Sequence, residues 1–325
     1  LSIIFAYLGY GIWSLVIKSL ATALVTASLL WIFNTWRPSL VFSLNSMKEL
    51  FGFGSLMLLS NLLNALFENI QGLIIGKKYT AQDMGLYSQA KKVDELPSRS
   101  ISQIVTRVSF PVFSQIADDK NKLVSAVRNN IICTTYLIFP LQFMLICVAD
   151  HLFIVLFTEK WLAAVPYFRI FCIYSMFISL NAINTNVYKA LGKSNIYFWV
   201  QLVKKILALF LIVMGMNYGV KGITWATSIS GILWWIISSI INGRLIKYGL
   251  FSQIKDIVIP FVISAVICLG VFLILRTLQF NHFGSLALGM VSYIALYLLF
   301  SIILKLKPYK IYLDIIISRI LKKKS

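Results

Sequence analysis

The chain has 325 residues, 30 Lys and Arg against 11 Asp and Glu, a formal net charge of +19, 59% apolar side chains and a mean hydropathy of +0.84. Only 13% of its residues are charged, whereas a soluble domain uses about 25%, so too little polar surface exists to coat a water-soluble globule. That balance excludes intrinsic disorder, a disulfide-stapled secreted domain and a cytosolic enzyme, and leaves an all-α polytopic membrane protein.

Crossing a hydrocarbon layer of about 30 Å takes about 20 apolar residues, and the hydropathy pattern supplies about nine such stretches. In chain order the expected spans are 10–33, 51–75, 84–110, 123–148, 162–188, 196–217, 220–242, 256–275 and 284–304. The chain opens at Leu1 within an apolar stretch, so it reads as an N-terminally incomplete piece. Eight spans are plain from composition, and 84–110 is not. Trp31, Trp36, Trp161, Tyr167, Tyr197, Trp199 and Tyr248 sit near span ends, as interfacial anchors do, while Trp225, Trp234 and Trp235 lie inside one.

Placing the 34–50 loop in the cytoplasm and alternating puts 17 Lys and Arg on that side, including the Lys322–Lys324 tail, against 5 on the other. This positive-inside bias requires all nine spans and predicts a cytoplasmic C-terminus. Eight cations fall within expected spans: Lys18, Lys91, Lys92, Arg99, Arg107, Arg169, Lys204 and Lys205. Each costs about 2.5–3.5 kcal/mol at mid-bilayer on insertion scales, so such groups face partners or a wet cavity.

Span 84–110 carries Lys91, Glu95, Arg99, Gln103 and Arg107 at four-residue intervals, with Pro97 expected to bend it. Ala90, Pro97, Ile101, Ile104, Val105 and Val108 fall opposite, so the helix either lies flat on the membrane surface or crosses with its polar side lining water, and the distribution of loop charges favours crossing. Matching polar stripes appear as Asn61, Asn64, Glu68 and Gln71, as Asn181, Asn184, Thr185 and Tyr188, and as Tyr197, Gln201, Lys204 and Lys205. Any one stripe is explained by hydrogen bonding between helices. Four together, with cations outnumbering Glu68, Asp94 and Glu95, predict a shared aqueous cavity of positive potential that recruits an anion.

The sequence holds no GxxxxGK[ST], GxSxG or HExxH pattern. Cys133, Cys147, Cys172 and Cys268 stand singly in apolar runs, and His151 and His282 are far apart, so neither metal site nor disulfide is expected. No cofactor, nucleic acid or enzyme chemistry is called for.

Several segments are similar to a known family: GYGIWSLV (Gly9 to Val16), RPSLVFS (Arg37 to Ser43), FGFGSLMLLSNLLN leading to LIIGKKYTAQDMGLYSQAKKVDELP (Phe51 to Pro97), FPVFSQI (Phe110 to Ile116), LFTEKWLAAVPYFRIF (Leu156 to Phe171) and NVYKALGKSNIYFWVQLVKK (Asn186 to Lys205). Together they resemble the Wzx/WzxC-type polysaccharide-export flippases of the multidrug/oligosaccharidyl-lipid/polysaccharide exporter superfamily. The resemblance implies part of a two-lobe MATE-like fold without most of its N-terminal lobe. Residues 1–33 would end that lobe, 34–50 link the lobes, 51–248 form the C-terminal lobe, and 249–325 add two helices and a basic tail.

It implies, further, a bacterial inner-membrane protein that moves an undecaprenyl-pyrophosphate-linked oligosaccharide by alternating access, for capsule, O-antigen or exopolysaccharide assembly. Membrane lipids, a glycan polymerase and export machinery would be its partners. The headgroup diphosphate would meet Lys91, Lys92, Arg99, Arg107, Lys204 and Lys205, and the sugar would meet Asn61, Asn64, Gln71, Asn181, Asn184 and Tyr188. A proton or sodium gradient would act through Glu68, Asp94 or Glu95. The rival readings are a cationic-drug antiporter of the same superfamily, which wants acids in its cavity, and a glycan polymerase or ligase, which wants a large external loop.

Overall fold

A computed structural model describes residues 2–11, 13–34, 43, 44, 47, 70–277, 280–309 and 311–313. Asn61, Asn64 and Glu68 therefore lie outside the described residues. The chain divides into two compact units, Leu1–Asn64 and Ala65–Ser325. In the first, a short α1 (Ser2–Tyr7) is followed by α2 (Trp13–Phe33), whose one charged residue is Lys18. Phe5 and Tyr10 pack edge to face across the turn between them.

In the second unit residues 70–78 are helical, followed by α3 (Ala81–Gln115), α4 (Lys120–Phe157), α5 (Val165–Ala190), α6 (Ser194–Gly215), α7 (Gly219–Ile246), α8 (Leu250–Thr277) and α9 (His282–Ile303). Among the described residues there is no strand. Among the described residues, six stretches are long and apolar enough to span a membrane, and the 51-residue one, Ile196–Ile246, takes in nearly all of α6 and all of α7.

Local chemistry sets the breaks. Thr80 and Asp83 form a reciprocal capping box that starts α3. Asp119 caps α4 by accepting from the backbone N–H groups of Lys122 and Asn121. Those bonds and the Lys122 ammonium hold its carboxyl below the usual carboxylate range. Asn281 caps α9 through the N–H of Gly284.

α4 is the central helix, packed against α3, α5, α8 and α9 and rich in fully buried residues along its length. The most extensive helix pair is α3 with α5. Its contacts advance together along both helices: the rings of Tyr87 and Phe171, then Asp94 with Ser175, then Ser109 with Asn186. α3 therefore runs parallel to α5, although it is not among the stretches apolar enough by themselves to span a membrane.

The buried side of α3 corrects the expected one. Tyr87, Ala90, Asp94, Ser98, Ser109 and Phe113 are buried, while Ile104 and Val108, expected opposite the charged stripe alongside Ala90, share the exposed side with Lys92, Arg99, Gln103 and Arg107. Small and hydroxylated residues permit close approach where no hydrophobic drive separates helix from lipid tail. Some buried hydroxyls are satisfied within their own helices, as Ser98 donates to the Asp94 carbonyl, Thr135 to Ile131 and Thr224 to Val220, while Ser175 and Ser228 donate to a neighbouring helix.

The turn from α6 to α7 depends on glycine. A Cβ on Gly215 would lie 2.6 Å from the Gly222 carbonyl oxygen, and one on Gly222 would strike the Gly215 carbonyl in return. Gly215→Ala and Gly222→Ala are each expected to destabilise the protein by about 1–3 kcal/mol, the usual cost of overpacking, as a lowered thermal midpoint in detergent. Gly270→Ala, with nothing within 4 Å of its Cβ position, is the control that leaves the midpoint unchanged.

Candidate functional site

The polar stripes divide into two sets. One set is spent on helix packing. Asn184, fully buried, donates through Nδ2 to Ser239 Oγ at 3.3 Å and Gln253 Oε1 at 3.2 Å. Its Oδ1 accepts from Asn242 Nδ2 at 2.8 Å and Gln253 Nε2 at 2.9 Å, and Trp235 Nε1 donates to Gln253 Oε1 at 3.0 Å. Tyr188, equally buried, donates to the Ser238 carbonyl at 2.9 Å. Asn184 and Tyr188, expected to meet sugar, thus join α5 to α7 and α8 in a dry interior. Gln71 accepts the Tyr87 hydroxyl at 2.6 Å.

The other set lines a cavity of about 260 Å³ between α3, α5, α6 and α7. α5 contributes Tyr174, Asn181, Thr185, Asn186 and Lys189; α6 contributes Tyr197, Gln201 and Lys204; α7 contributes Ser230, Gly231 and Trp234; and α3 contributes Thr106. A neighbouring cavity of about 310 Å³ shares Thr106, Asn186 and Lys189 and adds Arg107, Phe110 and Pro111. Among the described residues, the charged ones on these walls are Lys189, Lys204 and Arg107, and none is a carboxylate. Among the described residues, no carboxylate forms an ion pair with Lys189 or Arg107.

Backbone geometry explains the division within α5. A step of about 100° per residue puts Thr185 about 40° to one side of Asn181 and Asn184 about 60° to the other, so one apparent stripe serves two neighbours. Asn181 donates to the Gly231 carbonyl at 3.1 Å, and Asn186 to Ser109 Oγ at 2.7 Å. A Cβ on Gly231 would fall 2.6 Å from the Tyr174 ring, so the absent side chain leaves room for that ring at the cavity wall.

The remaining expected cations and acids lie elsewhere. Glu95 pairs with Arg99 at 2.9 Å and with Lys91 at 4.0 Å along α3, while Lys92 is exposed and Lys205 is not part of either wall. Asp94 is buried at the α3–α5 contact and accepts from Ser175 Oγ at 2.5 Å. Arg169 pairs with Asp150 at 2.7 Å, and Arg128 grips Asp256 with two bonds of 2.7 and 2.9 Å.

Sequence reasoning missed Lys189, Asn186, Tyr174, Ser230 and Trp234 as wall residues. Lys189 had been counted among loop charges, although its four-residue spacing from Thr185 and Asn181 placed it on their face. His151 and His282 meet Nδ1 to Nδ1 at 3.2 Å, but among the described residues no three metal-ligating side chains come together.

The family described as "Polysaccharide biosynthesis protein" matches residues 1–166. The chain belongs to that family. The polysaccharide biosynthesis family is where the Wzx/WzxC resemblance had placed it, within the exporter superfamily. The chain is 31% identical over 258 residues to the teichuronic acid biosynthesis protein TuaB of Bacillus subtilis, covering 78% of this chain and 52% of that one. It is 25% identical to the succinoglycan biosynthesis transport protein ExoT of Rhizobium meliloti, covering 82% and 55%. With the lipopolysaccharide biosynthesis protein WzxC of Escherichia coli it shares 26% identity, covering 70% and 47%.

The chain therefore spans about half the length of the curated relatives it matches. Its fold is that of a solved structure, the lipid II flippase MurJ in an inward closed conformation, with a TM-score of 0.71, 19% identity, and coverage of 96% of this chain and 64% of that one.

Gln253→Leu removes partners from Asn184, Trp235 and Ser239 at once. It is expected to cost about 1–3 kcal/mol of stability through the groups left unsatisfied, read as a lower thermal midpoint. Binding of inorganic pyrophosphate by the folded fraction should be unchanged, because the network lies outside the cavity wall.

Proposed function

We propose that the chain contributes a substrate-binding lobe to a protein that flips an undecaprenyl-pyrophosphate-linked oligosaccharide across the bacterial inner membrane by alternating access. The observation that carries this reading is a cavity among membrane helices whose charged wall residues, Lys189 and Lys204 with Arg107 beside them, are all cationic. Positive potential focused between low-dielectric walls recruits an anion, and a diphosphate is the anion a lipid-linked glycan carries. The same sign argues against a cationic-drug substrate.

Arg107 offers a planar fork suited to phosphate oxygens, and the two lysines act as point charges. Asn181, Thr185, Gln201 and Tyr197 supply donors and acceptors for sugar hydroxyls, while the prenyl tail stays in lipid. The cavity lies at the end of the bundle where α3 and α5 finish and α6 begins, next to Lys120, Lys193, Arg244 and Lys247. By the positive-inside rule that end is cytoplasmic, which is the side on which the substrate would be loaded and the side of the C-terminus. The coupling acid in this reading is Asp94 or Glu68, since Glu95 is neutralised along its own helix. A glycan polymerase and export machinery would take over the flipped product.

The test is glycan export in cells that depend on the complete protein. Arg107→Ala and Lys204→Ala are each expected to cut export about tenfold or more, as loss of a charged contact worth about 1.5–3 kcal/mol does, at unchanged membrane abundance. Arg99→Ala, which removes a partner only from Glu95, should leave export within twofold, on the order expected for an exposed pair. Export unaffected by both cavity substitutions overturns the assignment.

A further inference from the structure

Each lysine of the cavity lies over an aromatic ring of the same cavity. Lys189 Nζ lies 4.9 Å from the centroid of Tyr197, and Lys204 Nζ lies 5.3 Å from that of Trp234. Trp234 is only 1% exposed although it is a wall residue, so its broad face is covered. Both distances lie within the about 6 Å range over which a cation is held by a ring's negative face.

These contacts set two halves of a glycolipid against each other. A phosphate oxygen binds an ammonium group through a charge-assisted bond stronger than a cation–π contact, so an arriving anion draws the lysine off the ring. The uncovered ring is then a flat apolar surface, and the C–H face of a pyranose is the part of a sugar that packs on such a surface. A neutral sugar arriving alone must displace the ammonium without bringing a negative charge of its own to exchange for the ring.

We propose that Lys189 and Lys204 are movable covers over Tyr197 and Trp234, so that the anionic group of the substrate engages first and uncovers the rings on which its sugar stacks. This rests on the anionic-glycolipid reading above and adds an order of binding to it. The coupling is reciprocal: pyrophosphate and sugar each tighten the other's binding, by no more than the cation–π contact that is released.

The test uses the full chain in nanodiscs with inorganic pyrophosphate and maltotriose as probes. Calorimetry reports pyrophosphate binding, and because the chain has 8 tryptophans, acrylamide quenching of their fluorescence is read as the difference from the Trp234→Phe variant, which isolates whether Trp234 is covered. In the unaltered chain, pyrophosphate should raise quenching, and it should tighten maltotriose binding by roughly two- to fivefold, the equivalent of one released cation–π contact.

Lys204→Met should weaken pyrophosphate, raise quenching before any pyrophosphate is added, and strengthen maltotriose binding: opposite signs for the two probes. Trp234→Phe should abolish the quenching change, and Lys204→Met provides the same contrast if the phenylalanine variant does not fold. Absence of pyrophosphate binding by the unaltered chain refutes the anionic reading itself. Pyrophosphate binding with no change in quenching, or Lys204→Met weakening both probes alike, refutes the covers and leaves that reading intact.

Discussion

A polar group inside a hydrocarbon layer must find its partner within the protein, because no water is there to supply one. The bundle of residues 65–325 is organised by that constraint. Its hydroxyls turn back on carbonyls of the preceding turn, Asn184 and Gln253 satisfy one another across three helices, and Asp94 receives the Ser175 hydroxyl where α3 meets α5. At the cavity wall the amide oxygen of Asn181 is left without a partner, and Gln201, Thr185 and Lys189 reach the same space. Unpaired polar atoms also occur away from the cavity, on Asp94, Tyr136, Gln142, Ser179, Ser238, Asn242, Ser264 and Ser285, and the surrounding helices offer no explanation for them.

The same economy governs charge. With 11 acids against 30 bases, every acid used to pin a cation in the packing leaves the rest of the molecule more positive. Asp256 is spent on Arg128, Asp150 on Arg169, and Glu95 on Arg99 and Lys91. Those pairs tie α4 to α8 and α5 and run along α3, so they serve architecture. Among the described residues, these charged pairs lie apart from the cavity walls that carry Lys189, Lys204 and Arg107.

Much of this was legible in the sequence. Seven of the nine expected spans correspond to α3 through α9, and the doubtful one, α3, was required by the distribution of loop charges before its parallel contacts with α5 placed it in the bundle. Of the residues expected at a site, Lys204, Asn181 and Arg107 stand on the walls of the two cavities among the described residues. Which side of a polar helix meets water was not readable. A stripe at helical spacing looks the same whether it meets another stripe or a cavity, and only the pairing across α5, α7 and α8 separates Asn184 from Asn181. Lys189 escaped because a residue at a helix end counts as a loop charge until its side chain is seen lying over Tyr197. His151 and His282 escaped because a separation of 131 residues carries no signal.

A transport site must release what it binds, and the placement of its cations bears on that. A lysine desolvated between helices without a cation–π contact would bind an anion too tightly to let it go. Resting on a ring, it keeps a partner worth about 0.5–2 kcal/mol when the cavity is empty, and that contact is recovered when the anion leaves. Arg107, at the neighbouring groove where the side chain is exposed, has water as its alternative partner instead. Both arrangements lower the free-energy difference between loaded and empty states, which favours turnover over storage.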